Sequence, residues 1–214
     1  MAANIAEVIT NVRKDLHDED AAAYRWTDSS LTRHITRAVH DYTIAAPLEQ
    51  KSVLSATPGS RDISVASLAS LIAIEAVEWP VGNFPPARLG WSQWQTTITI
   101  DVVNAPAAAD NVNIFWLKSH TLDGSSSTIP AQHDELIAEG AAGYAALDWT
   151  SFATNRLNIG SADVWGRYKA LADERLKLFQ ADLQRLGRYN TVRQRHLYTT
   201  ADPPSVFEQQ RVKY

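Results

Sequence analysis

The first part of the chain places its apolar residues at the spacing of two helices. Residues three and four apart share one face of a helix, and two such stripes precede Pro47. Thr27 is suited to cap the second helix, and Pro47 ends it. The pattern predicts helices over about residues 4–17 and 28–45 that pack as a hairpin, with the stripes Ile5, Val8, Ile9, Val12, Leu16 and Leu31, Ile35, Ala38, Val39, Tyr42.

In the middle third the hydrophobic period changes to two, which is typical of strands. Alternating runs cover residues 72–77, 94–102 and 112–116. We expect the last two runs to form one hairpin across the loop 104–110. The segment of about 52–120 is therefore predicted to be a small antiparallel β-sheet inserted between helices.

Helical spacing returns near Pro130 and again after Ser161, and it predicts helices over about 130–153 and 162–186. The first of these carries small residues on its stripe, which favours close packing between helices. The fold class is therefore predicted to be α+β, a bundle of about four helices with an inserted β-sheet. We expect residues 1–187 to form a single domain.

The last part of the chain loses this periodicity. Beyond Gly187 the sequence is polar, and Pro203-Pro204 cannot continue a helix and favours an extended chain. Residues 188–214 are therefore predicted to form an extended C-terminal arm.

Composition and charge narrow the class of function. The chain has 214 residues, of which 45% are hydrophobic, and it has no cysteine, which excludes disulfides and thiolate chemistry. We expect no signal peptide and no membrane span, because no basic stretch precedes an apolar run and no apolar run approaches about 18 residues.

The net charge of −4 is unevenly distributed along the chain. Residues 185–214 hold six basic and two acidic side chains, a net of +4, so residues 1–184 carry −8. An acidic body repels phosphate, which makes it a poor nucleic-acid binder.

Candidate chemistry is sparse. His34 and His40 lie six residues apart on one helix and point in different directions, so they cannot share a metal. The acidic turn from Asp15 to Asp20 lacks the glycine and the bidentate glutamate of a calcium loop. Ser125-Ser126-Ser127 is not part of a nucleophile elbow. We predict no catalytic residue, no metal, no cofactor and no enzymatic activity. Replacing Asp18 or Glu135 is expected to have only minor effects on stability.

The seven tryptophans allow two interpretations. Trp79, Trp91, Trp94 and Trp116 fall on the predicted sheet, where they pack in a core or line a subunit interface, since interfaces are enriched in tryptophan. The sequence leaves both open.

The order of short motifs resembles head-to-tail adaptor (connector) proteins of tailed bacteriophages. In that family a helix ending in a Leu-x-Asp turn is followed by an Arg-Trp-Thr/Ser-Asp entry to a second helix. Here these are Leu16-His17-Asp18 and Arg25-Trp26-Thr27-Asp28. The resemblance covers roughly residues 5–185 and continues through Val77–Pro80, the strands ending at His120, and Ser127–Pro130.

This resemblance implies a role and a set of partners. Such adaptors assemble as a ring, usually of twelve copies, under the portal protein, and DNA passes through without specific binding. The downstream partner is a tail, stopper or nozzle protein. The location is the neck of the virion after assembly in the host cytoplasm. The alternatives are a neck-associated, muramidase-like wall hydrolase and a tail-completion or decoration protein.

Adaptors of this family commonly dock onto the portal through C-terminal segments. The arm combines basic and apolar side chains that a solubilising tail does not need, and a disordered terminus is the alternative. We expect the arm to fold on binding to the portal or a neighbouring subunit. The expected contact residues are Arg193, Arg195, Tyr198, Pro203, Pro204, Val206, Phe207 and Tyr214.

Overall fold

The computed structural model describes residues 3–84, 86–154 and 162–196, and the side chains of 152–154, 162–164 and 190–196 lie outside the description. The chain divides into two compact units. The helical unit comprises Met1–Leu48 and Ser119–Gly187, and the β unit contains Glu49–Lys118. Helices together with antiparallel strands confirm the predicted α+β class.

The helical unit contains four helices: α1 (Ile5–Asp15), α2 (Asp28–Ala45), α3 (Asp134–Thr154) and most of α4 (Ala162–His196). A short 3-10 turn, Ala131–His133, precedes α3. Asn4 and Glu7 form a reciprocal capping box at the start of α1, and the Thr27 hydroxyl accepts from the Ser30 amide at the start of α2. The predicted helical hairpin is confirmed.

Helix α3 is buried along most of its length, because α1, α2 and α4 all pack around it. Its glycines are the points of closest approach to α4. A Cβ atom at Gly140 would lie 2.8 Å from the Phe179 ring, and one at Gly143 would lie 2.9 Å from the Leu176 side chain. The small-residue stripe therefore serves helix packing, as the sequence predicted.

Helix α4 is longer than predicted. It continues through Gly187 to His196, so the prediction of an extended chain is wrong for residues 188–196. A glycine costs a helix only about 1 kcal/mol, and adding residues to an existing helix is far easier than starting one. Without a proline before Pro203, nothing in this stretch stops the helix. The predicted arm residues after His196 lie outside the described part of the chain.

The described residues of the β unit form seven strands in two sheets. The four-stranded sheet has the order β1-β7-β3-β4, and the three-stranded sheet has the order β2-β6-β5. Ile98, Ile114 and their apolar neighbours form a core that is distinct from that of the helical unit. The strands are β1 (Leu48–Ser55), β2 (Asp62–Ser64), β3 (Leu71–Glu78), β4 (Arg88–Leu89), β5 (Trp91–Trp94), β6 (Thr97–Ile100) and β7 (Asn111–Lys118).

The predicted hairpin of the runs 94–102 and 112–116 is wrong. β6 pairs with β5 and β2, whereas β7 pairs with β3. A tight turn at Gln95, whose φ is +53°, separates β5 from β6, and Trp94 pairs with Thr97 across it. Alternation shows which residues share a face, but it does not show which strand lies next to which.

His120 lies on the segment that follows β7, and it contacts the segment between α2 and β1. Within the helical unit its Nε2 lies 3.0 Å from the Ala46 carbonyl oxygen, just before β1. Its backbone amide donates to the Thr43 hydroxyl at 3.2 Å, and its Nδ1 lies 3.1 Å from the Thr128 carbonyl oxygen. One side chain thus joins the end of α2 to the segment that returns from β7.

In the described part of the chain, no helix is both long enough and apolar enough to span a membrane.

Candidate functional site

A buried ion cluster joins the end of α1 to the start of α2. The side chains of Arg13 and Asp18 are each only 7% exposed, and they form an ion pair at 2.8 Å. The Arg13 guanidinium also donates to the Asp28 carboxylate at 2.7 Å and to the Trp26 carbonyl oxygen at 3.0 Å. Charge-assisted hydrogen bonds of this length are among the stronger polar contacts in proteins.

The turn between the two helices is built around the Asp18 carboxylate. Helix α1 ends at Asp15 with Leu16 as its C-cap, and His17 adopts a left-handed conformation with φ of +51° that reverses the chain. The carboxylate then accepts backbone N–H groups from Arg25 at 2.7 Å and Trp26 at 3.3 Å. Asp18 therefore fixes the incoming chain as well as Arg13, and the prediction of minor effects from its replacement does not fit this geometry.

Aromatic rings surround a second guanidinium beside this cluster. The Arg25 guanidinium lies 4.8 Å from the Trp149 ring and 5.2 Å from the Tyr168 ring. Trp26 meets Trp149 edge-on at 5.8 Å, and its indole N–H donates to the Ala145 carbonyl oxygen at 3.3 Å. These contacts connect the α1–α2 turn to α3 and α4.

A pocket of about 620 Å³ opens at this turn. Its lining combines apolar side chains, Leu16, Trp26, Tyr168 and Leu171, with charged side chains of both signs, including Asp15, Asp20 and Arg167. Asp18 also lines it, but Arg13 already neutralises that carboxylate.

A further polar cluster lies on α2 and α3. His34 is 5% exposed, its Nε2 has no hydrogen-bond partner in the described residues, and the Asp148 carboxylate lies 3.7 Å away. Burial lowers the pKa of His34 and outweighs the attraction of Asp148. Nearby, the Tyr144 hydroxyl donates to Asp41, and burial with this hydrogen bond raises the pKa of Tyr144 to about 12.

One carboxyl group lines a pocket and has a raised pKa. Burial raises the pKa of Glu139, and Glu139 lines a pocket of about 360 Å³ together with Asp15, Glu135 and Arg175. The muramidase-like alternative needs two carboxyl groups in one cleft, and this pocket is lined by three acidic residues.

His133 and the serine loop have structural partners. His133 Nδ1 lies 2.7 Å from the Tyr42 hydroxyl. Ser125 and Ser126 donate to the Asp123 carboxylate within their own loop. Among the described residues, no group of three or more His, Asp or Glu side chains is placed to hold a metal ion.

The predicted arm contacts fall mostly beyond the described residues. Arg193 and Arg195 belong to the last turns of α4, with side chains outside the description. The remaining predicted contacts, which also lie outside the described residues, are Tyr198, Pro203, Pro204, Val206, Phe207 and Tyr214.

Exposed apolar side chains form a further feature, for which the sequence offered only the open interface interpretation of Trp94. Phe84 is 98% exposed, Trp94 is 82% exposed and Val103 is 90% exposed, all in the β unit. Ile44 on α2 is 71% exposed. Phe84 stands beside Pro85-Pro86, which was the available signal, because a phenylalanine in a proline-rich loop has few neighbours to pack against.

The sequence matches no protein-family model and no curated protein. Among solved structures, it aligns with a chain from a structure described as "Neck of empty GTA particle computed with C6 symmetry". The alignment covers 75% of this chain and 82% of that chain, with 15% sequence identity and a TM-score of 0.29. A likeness of this size does not establish a shared fold or function.

Proposed function

We propose that this chain is a structural, non-enzymatic subunit of a phage neck. In this role it is a head-to-tail adaptor that assembles as a ring of twelve copies under the portal. It connects the DNA-filled head to a tail, stopper or nozzle protein in the virion, after assembly in the host cytoplasm. DNA passes through the ring without specific binding.

The buried cluster at the α1–α2 turn carries this proposal. The motifs that resemble the adaptor family are Leu16-x-Asp18 and the segment from Arg25 to Asp28. Four residues of these motifs form one connected network with Arg13, namely Asp18, Arg25, Trp26 and Asp28. Motif residues that contact one another stabilise a particular local structure. They therefore support a fold in common with the adaptor family better than matching residues that make no mutual contacts.

Charge and surface composition support the same role. Residues 1–184 carry a net charge of −8, which repels phosphate. A ring of such subunits would therefore not bind the DNA that passes through it. Exposed apolar side chains such as Phe84 and Trp94 supply area for contacts between subunits.

Native mass measurement of the purified protein, alone and mixed with its portal, tests the assembly. Twelve copies at −4 each would carry about −48, so mutual repulsion favours a monomer until the portal templates the ring. A ring that appears only with portal supports the proposal. A stable dimer that ignores the portal contradicts it, and another symmetry or partner would indicate a tail-completion or decoration protein.

Two truncations test whether the arm attaches the subunit to the portal. Because α4 reaches His196, a chain ending at His196 keeps the whole described helix, whereas one ending at Gly187 also loses its last turns. We expect the chain that ends at His196 to keep the thermal midpoint of the full-length protein and to lose portal attachment. Unchanged attachment by both truncations would show that the arm has no such role.

The Glu139 pocket favours wall hydrolysis as the second candidate function. Incubation of purified protein with cell-wall material, alongside Glu139→Gln, decides between the two. The adaptor proposal expects no hydrolysis by either protein. Reproducible hydrolysis that Glu139→Gln abolishes would make the protein an enzyme.

A further inference from the structure

An apolar groove runs between α2 and the second half of α4, and we call it the α2/α4 groove. It has a volume of about 380 Å³ and is lined by Asp41, Ile44, Ala45, Gln180, Leu183, Gln184 and Gly187. The helices approach closely at one end, where a Cβ atom on Gly187 would lie 3.6 Å from the Ala45 carbonyl oxygen. Ile44 stands at the groove with 71% of its surface exposed. Burying the exposed Ile44 side chain against an apolar partner lowers the free energy, because apolar surface is removed from water.

We propose that the arm of the same chain binds in the α2/α4 groove before any partner is present, with the Phe207 ring beside Ile44 and Leu183. This inference concerns the isolated chain and does not rest on the neck role. Its consequence is that a partner must displace the arm from the groove in order to use it.

The length of chain after α4 fits this occupant. Leu183 lies thirteen residues before the helix end at His196, a distance of about 20 Å along the axis at about 1.5 Å per residue. Phe207 lies eleven residues beyond His196 and can reach about 34 Å at about 3.1 Å per residue. The segment is therefore long enough to reverse direction and bring Phe207 level with Leu183.

The chemistry of the segment also fits the groove. Pro203-Pro204 precede Val206 and Phe207, and prolines reduce the conformational entropy lost when an extended segment binds. Gln180 and Gln184 lie one helical turn apart, and their amides both donate and accept hydrogen bonds, as an extended backbone requires. Arg211 follows Phe207 by four residues and complements the Asp41 carboxylate at the groove.

The tether selects this arm over the arm of a second copy. A short flexible connection gives an effective concentration in the millimolar range, far above that of free protein in dilute solution. Binding within one chain therefore dominates in the isolated protein.

Cysteine cross-linking tests the proposal cleanly, because the chain has no cysteine of its own. The test pair is Ile44→Cys with Phe207→Cys, and the control pair is Leu178→Cys with Phe207→Cys. Leu178 is exposed on α4 but does not line the groove. Under mild oxidation at low concentration we expect the test pair to form an intramolecular disulfide about tenfold faster than the control pair.

Three results would overturn the proposal. Equal rates for the two pairs would show that Phe207 does not favour the groove, and a disulfide-linked dimer would assign the groove to a second copy. A third readout is trypsin cleavage at Arg211 in the cysteine-free protein, which we expect to be several-fold faster in Ile44→Ser. An unchanged cleavage rate would mean that the groove does not hold the arm. None of these measurements involves the portal, so they fail independently of the proposed function.

Discussion

The helical unit and the β unit differ in what they bury and in what they expose. Most buried polar side chains of the described structure, including Arg13, Asp18, His34 and His120, belong to the helical unit. In the β unit they are Glu78 and Asn113, which pair with each other at 3.1 Å. The most exposed large apolar side chains, Phe84, Val103 and Trp94, are in the β unit.

This difference suits the two units to different roles in the subunit. Directional, charged hydrogen bonds fix one geometry, because alternative packings leave a buried charge without its partner. An apolar core tolerates small rearrangements, and exposed apolar side chains gain free energy only when a partner covers them. We therefore interpret the helical unit as the framework of the subunit and the β unit as a source of contact surface.

The largest effect should come from breaking the buried ion cluster. Replacing Asp18 by Ala removes the buried partner of Arg13, which keeps the exposed Asp28 carboxylate and the Trp26 carbonyl oxygen. The replacement also leaves the Arg25 and Trp26 amides without their acceptor, and we expect a total cost of about 3 kcal/mol. For a chain of this size we expect the thermal midpoint to fall by roughly 10 °C. The exposed Asp20→Ala variant, measured in the same calorimetric scan, is the control. A small change at Asp18 would remove the distinction between the two units.

The close approach of α3 and α4 gives the next largest effect. A methyl group at Gly140 meets the buried Phe179 ring at 2.8 Å, so Gly140→Ala should destabilise by about 1–2 kcal/mol despite the higher helix propensity of alanine. Gly166, also in a helix, has open space around its Cβ position. Gly166→Ala should therefore stabilise by about 0.5–1 kcal/mol. Denaturant unfolding measures both, and equal effects would contradict the packing described.

Acid should weaken the helical unit through its histidines. No histidine lies in residues 49–118, and burial lowers the pKa of His34 and of His120. The unfolded chain then binds more protons than the folded one as pH falls below about 6.5, so stability is lost in that direction. His34 faces Asp148, Arg33 and Arg37, and His120 faces His133.

We expect the thermal midpoint to fall between pH 7.5 and pH 5.5, and to fall less in His34→Gln. Thermal unfolding followed by circular dichroism at the two pH values measures this fall in the unmodified protein and in His34→Gln. The same decrease in His34→Gln and in the unmodified protein would mean that His34 is not responsible.

The smallest effect on stability should come from the exposed aromatics of the β unit. Phe84→Ser and Trp94→Ser should each change the free energy of unfolding by no more than about 0.5 kcal/mol. The proposal of a contact surface nevertheless expects weaker assembly with the portal, which native mass measurement reports. Full assembly by both variants would show that these side chains are not contacts.

The sequence predicts the helical unit better than the β unit for a physical reason. Helix periodicity is a local property, so α1 and α2 appear where Val8, Leu31 and their neighbours repeat. Strand pairing is non-local, and β7 lies between β1 and β3, of which β3 begins some forty residues earlier in the chain. Strand β1 escaped prediction because its residues alternate poorly and follow Pro47 directly.

The candidate site was only half visible in the sequence. Asp18 was interpreted as one member of a charged turn, because nothing local shows that Arg13 is buried five residues earlier. The available signal was a basic residue adjacent to Val12 on the apolar side of α1. The α2/α4 groove was not predictable, since it requires Ile44 and Leu183 from helices distant in sequence to meet.

The hydrogen bond between His120 and Ala46 has a consequence for how this chain can be re-engineered and how its length can vary. The polypeptide leaves the helices and comes back at segments that contact each other through His120, which reaches both Ala46 and Thr43. An excursion whose two ends are neighbours can be shortened, lengthened or exchanged for another module without stretching the segments on either side. We therefore expect that a short linker from the end of α2 to the segment at His120 can replace the strands from Glu49 to Lys118 without displacing the helices.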